Sequence, residues 1–154
     1  MKKHLFTLFI LSISSVSFDT ESANVRFHKR IDESCGIEVI KDHGEISFGH
    51  RYGHDSLSLK LLANQRDKRL VFRLSYINVE MGAETISHDK IHFKVETPDR
   101  FVGNVDYWRQ GIEINQEQLD SSKQIRISAR VDLNEYQMPA GEVTLNMEWH
   151  LDCY

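Results

Sequence analysis

The chain has 154 residues, enough for one hydrophobic core and too few for two comfortable ones. Its formal charge of −4 comes from 19 Lys and Arg against 23 Asp and Glu, which excludes chain-wide polybasic character and argues against nucleic acid as a partner. A hydrophobic share of 40% argues against disorder, and two cysteines are too few for a disulfide-dense miniprotein or a Cys-rich zinc site but enough for one bridge.

Residues 1–17 have the layout of an export signal. Met1-Lys2-Lys3-His4 is a short basic start, Leu5 to Ile13 is an uncharged apolar run too short to span a bilayer, and Ser14-Ser15-Val16-Ser17 supplies small residues. Cleavage is expected after Ser17, with cleavage after Ala23 as the alternative; Glu21 is a poor fit at −3 of the latter. Export permits a disulfide, and Cys35 with Cys153 is the one pairing available inside the chain. Two free or intermolecular thiols are the other reading.

Residues 18–34 then form an N-terminal extension. Ala23, Val25, Phe27 and Ile31 share one parity, interrupted by Lys29. Such a segment is either an ordinary first strand or a strand that pairs with another molecule, and the spacing leaves both open.

From residue 35 to 154 nearly every apolar cluster alternates with period two, the mark of half-buried strands. In chain order these are Cys35-Ile37-Val39, Ile46-Phe48, Leu57-Leu59-Leu61, Leu70-Phe72-Leu74-Tyr76, Ile91-Phe93-Val95, Val105-Tyr107 and Ile112-Ile114. Ile125-Ile127-Ala129-Val131-Leu133 and Val143-Leu145-Met147-Trp149-Leu151 complete the series with five members each. Turn residues separate them, as in Lys41-Asp42-His43-Gly44, Thr97-Pro98-Asp99 and Met138-Pro139-Ala140-Gly141. Gln65 to Arg69 reads as a solvated hairpin turn, and only Gln116 to Ser122 looks helical. The pattern predicts one all-β domain, a β-sandwich of about nine short strands.

Chemistry has little to rest on. His43, His50 and His54 are close in sequence, but Gly53 and the strand context spoil a shared face, so no metal site is expected; a pH response through histidine is a softer idea. There is no Gly-x-Ser-x-Gly, no phosphate loop and no His-Glu-x-x-His, so no catalytic residue, cofactor or enzyme activity is expected. Phe101, Tyr107 and Trp108 read either as packing or as an exposed recognition patch.

Four features coincide: the export signal, the alternating segment ahead of a cysteine, Cys35-Gly36-Ile37-Glu38-Val39 running into Gly44-Glu45-Ile46-Ser47-Phe48-Gly49, and the ending Met138-Pro139-Ala140-Gly141-Glu142-Val143-Thr144-Leu145. Together they resemble bacterial fimbrial subunits, the pilins of the chaperone–usher class. The resemblance implies an immunoglobulin-like, pilin-type β-sandwich missing its last strand. Its groove would be filled first by a periplasmic chaperone. At an outer-membrane usher the N-terminal extension of the next pilin subunit would then replace the chaperone, a β-strand addition.

Val25, Phe27 and Ile31 would be the donor side chains, and Val143, Leu145, Met147, Trp149 and Leu151 the last strand that meets chaperone or donor. The implied role is adhesion, in the periplasm and then on the cell-surface fimbrium, with a host receptor as a further partner. A content of only 8 glycines, 27% charged residues, and Lys29 where donor strands commonly carry glycine favour a minor or tip-associated subunit. The competing reading is a self-complete periplasmic accessory or regulatory binding module of a fimbrial system, with the 23–31 segment paired in its own sheet.

Overall fold

The computed structural model describes residues 26, 28–64, 69–81, 85–117, 119 and 123–154. The chain divides into two units, 1–31 and 32–154. In the first, residues 28–31 are exposed and belong to no helix or strand. All the strands below lie in the second.

Nine strands form among the described residues: β1 (Cys35–Lys41), β2 (Ser47–Phe48), β3 (Leu57–Ala63), β4 (Leu70–Glu80), β5 (Ile91–Glu96), β6 (Arg100–Asn104), β7 (Ile112–Ile114), β8 (Gln124–Val131) and β9 (Thr144–Cys153). One helix, α1 (Val105–Gln110), joins β6 to β7. The larger sheet runs β1-β3-β8-β5-β6, with short β2 pairing with β8, and the smaller runs β7-β4-β9. Every pairing is antiparallel except β2 with β8. The protein is therefore an all-β sandwich.

Alternation explains the layers. Leu59 and Leu61 of β3, Phe93 and Val95 of β5, and Ile125 and Ile127 of β8 point inward from one sheet; Leu70, Phe72 and Leu74 of β4 meet them from the other. All are buried, each side chain contributing on the order of 1.5–3 kcal/mol of burial energy. The alternation expected through Tyr76 fails. The β4–β9 register shifts between Leu74 and Tyr76, which moves the inward position to Ile77 and leaves Tyr76 exposed. At the end of β2, Gly49 has φ 86° and its N–H lies 2.9 Å from both Val131 O and Leu133 O, a turn that favours glycine.

The stretch Val105-Tyr107, expected as a strand, is helix α1 instead. The side chain of Asn104 caps it by accepting from the Tyr107 N–H at 3.1 Å, and Gly111 with φ 84° ends it. This turn of helix links the outer strands of the two sheets, β6 and β7, and drops Trp108 into the core, fully buried. The Trp108 indole N–H is shared between Phe93 O at 3.2 Å and Gly103 O at 3.1 Å. Tyr107 lies edge-on to Trp108, with centroids 5.2 Å apart, and its ring occupies the space where residue 103 would carry a side chain: an added Cβ would sit 2.1 Å from Tyr107 Cδ1.

Gly103→Ala is accordingly expected to lower stability by about 2–3 kcal/mol through overpacking. Adding Tyr107→Ala should return part of that loss. Urea unfolding of the two variants measures both effects.

Candidate functional site: the open side of the sandwich

The two sides of the sandwich are closed differently. On one, α1 and Trp108 bridge the sheets between β6 and β7. On the other, β1 edges the larger sheet and β9 edges the smaller, and no described strand lies between them. What joins these edges is the Cys35–Cys153 disulfide, which holds the two Cα atoms 6.2 Å apart. The single pairing available in the sequence is thus the one formed, and it ties the first strand to the last.

Away from the bridge the edges leave a groove. In β1, Val39 pairs with buried Leu59 of β3, so its side chain faces between the sheets, yet it is 58% exposed. In β9, Leu145, Met147 and Trp149 pair with Val79, Ile77 and Leu74 of β4 and also face inward, but each is only half-buried. Leu151, next to the bridge, is buried. A hollow of about 400 Å³ lies between Ile37, Val39 and Leu59 on one wall and Leu145, Met147 and Trp149 on the other. A second, of about 360 Å³, adjoins it where β1 ends and β9 begins. Apolar side chains that face a core position but meet solvent make this groove an apolar surface.

Trp149 forms the floor. Its ring stacks on Phe72 at 4.9 Å with planes 2° apart, and meets Phe93 and Trp108 edge-on at 5.5 Å. Its indole nitrogen is buried with no hydrogen-bond partner among the described residues.

The open end is acidic. Asp42, Glu45, Asp55 and Glu142 line the second hollow together with His43. Asp55 is paired with Lys41, whose ammonium hydrogen bond holds the carboxyl below its ordinary range. The His43 ring, 2.9 Å from Asp42, does the same for Asp42. Glu45 and Glu142 are exposed.

Of the residues singled out in sequence, Leu145, Met147, Trp149 and Leu151 stand together along β9 on the groove side. Val143 lies one residue ahead of the strand and lines the acidic end instead. Ile31 is 78% exposed, while Val25 and Phe27 lie outside the described residues. The opposite wall, Ile37 and Val39, was readable only as alternating strand residues; their shared parity with Cys35 places them beside β9 once the bridge is known.

The histidines do not converge. His43 faces the groove, and His50 pairs with Asp132 at 2.8 Å, while no group of three His, Cys, Asp or Glu capable of holding a metal occurs among the described residues. Tyr52, between His50 and His54, has the Arg130 guanidinium 5.3 Å and the Lys94 ammonium 5.5 Å from its ring centre, and burial pushes its phenol pKa up. That loop is anchored further by the Gly53 N–H donating to Ser47 Oγ at 3.0 Å. Trp108 serves packing, with Tyr107 against it and Phe101 half-buried beside the core.

Among the described residues no helix is long and apolar enough to cross a membrane. No family model, curated protein or solved structure matches the chain.

Proposed function

We propose that the protein is a structural subunit of a chaperone–usher fimbria, assembled by donor-strand exchange and contributing to bacterial adhesion. The order β1-β3-β8-β5 within one sheet and β7-β4-β9 in the other supports reading the sandwich as immunoglobulin-like with the place beside β9 open to a further strand. The observation that carries the reading is the apolar groove beside the free edge of β9, with inward-facing Val39 left 58% exposed. A strand laid there gains main-chain hydrogen bonds from the edge and pockets for alternate side chains. A periplasmic chaperone would hold the groove first and another subunit afterwards, with an outer-membrane usher as the place of exchange. Donor and acceptor surfaces differ, so the contact does not close and a fibre results.

The reading predicts that the exported chain is captured by a fimbrial chaperone or forms multimers. Val39→Asp with Leu145→Asp should abolish both while leaving the fold intact, because both side chains already meet solvent. Size-exclusion chromatography and circular dichroism check this. A stable single copy that neither multimerises nor accepts a chaperone would overturn the proposal.

A further inference from the structure

We infer that the outer face of the larger sheet is a binding surface for an acidic polysaccharide, held by Arg100 and Arg126 on either side of Glu96. The inference does not rest on the fimbrial reading. This face looks away from the core and the groove, so a strand taken up there leaves it uncovered.

The face follows from register. In β5, Phe93 and Val95 point into the core, so His92, Lys94 and Glu96 point out. The same alternation turns Arg126 and Arg130 of β8 outward, and Arg100 and Val102 of β6. Pairing across the strands then sets Arg100, Glu96 and Arg126 side by side in one row. Lys94 stands two residues along β5 on the same face.

One carboxylate thus serves three cations. Glu96 lies 3.1 Å from Lys94 Nζ and 3.7 Å from the Arg126 guanidinium, and none of the ion pairs among the described residues takes up Arg100. Further along β8, Arg130 has Asp132 at 3.2 Å, but His50 shares that carboxylate at 2.8 Å. The whole chain carries a formal charge of −4, so this face reverses the sign locally. Lys94 and Arg130 are largely covered, 5.5 and 5.3 Å from the centre of the Tyr52 ring. Arg100 and Arg126 are exposed and within reach of a partner.

The partner's chemistry follows from this arrangement. An open sheet surface fits an extended chain, and neighbouring strands lie about 4.8 Å apart, close to the length of one pyranose unit. A glycan crossing β6, β5 and β8 can therefore set an acidic group on each arginine, whose fork matches a carboxylate or sulfate. Glu96 between them accepts hydrogen bonds from sugar hydroxyls and repels a polyanion that has none to offer. A bilayer is a poorer match. Among the described residues of these three strands the one exposed large hydrophobic is Val102, and membrane attraction by charge alone takes a denser basic cluster.

The test immobilises the exported mature chain and measures binding of heparin, polygalacturonate, polyphosphate, neutral dextran and phosphatidylglycerol vesicles. Heparin and polygalacturonate should bind, more tightly than polyphosphate or dextran, and raising the salt should weaken both. Arg100→Glu with Arg126→Glu should weaken both about tenfold or more, with the circular dichroism and the uptake of a peptide covering residues 24–31 unchanged. Arg69→Glu with Arg109→Glu changes the net charge equally, away from this row, and should leave binding as it was. Glu96→Gln should favour polyphosphate over the polysaccharides. Failure of both polysaccharides to bind overturns the inference, as does polyphosphate or vesicle binding that equals theirs. Equal losses in the two double variants would reduce the effect to overall charge and overturn it too. Strand uptake in the groove is read separately by the peptide, so the fimbrial reading stands or falls on its own.

Discussion

Replacing Cys35 and Cys153 together by serine is expected to lower the stability of the folded chain by about 4–5 kcal/mol. The bridge spans a sequence separation of 118, and in the chain-entropy account a loop of that length restricts the unfolded ensemble by about this amount. The location adds a second effect. The bridge joins β1 to β9 on the side of the sandwich where no described strand does, so its loss leaves two edge strands held to the domain by one neighbour each. Urea unfolding of the double variant and of the native chain with and without reductant measures the difference. A change below about 1 kcal/mol would mean that the groove side is held by something other than the bridge.

The second large effect is expected at Trp108. Trp108→Ala should lose about 3–5 kcal/mol, the usual range for emptying an aromatic site in a core. The indole is fully buried, and its N–H is the donor shared by Phe93 O and Gly103 O. Trp149→Ala is expected to lose less stability, because that ring is half-buried at the groove floor with its N–H unpartnered, and instead to weaken strand capture. Parallel denaturation and peptide-binding curves separate the two tryptophans. Equal stability losses with unchanged binding would contradict the assignment of Trp149 to the groove.

What the sequence made legible follows from which contacts are local. β3, β4, β5 and β8 each bury one face and β9 half-buries one, so Leu59, Phe72, Phe93, Ile127 and Leu151 announce themselves by alternation. β6 does not, because Gly103 has its inward place taken by the Tyr107 ring, a contact with a later residue. Helix α1 is too short for a helical period to emerge, although Asn104 before it and Gly111 after it are ordinary start and stop residues. Tyr76 was misplaced because the bulge before it reverses parity without any glycine or proline to mark it.

The candidate site divides in the same way. Leu145, Met147 and Trp149 could be named from their strand, and the Cys35–Cys153 pair because the chain has two cysteines and one possible internal pairing. That Val39 faces the core yet stays exposed could not, since its exposure depends on the separation of two edges more than 100 residues apart in the chain. Nor could the gathering of Asp42, Glu45, Asp55 and Glu142 at one end, which requires the loop after β1 to meet the residues ahead of β9.

Amide hydrogen exchange along β9 tests the central claim most directly. Half of the β9 backbone faces β4 and half faces the groove. The amides of Leu145 to Leu151 that do not bond to β4 should exchange rapidly in the single copy. They should become protected, by a hundredfold or more, when the chain assembles or binds the 24–31 peptide, since about 3 kcal/mol of local opening energy corresponds to that factor. Protection already complete in the single copy, or rapid exchange that assembly leaves unchanged, would contradict the account.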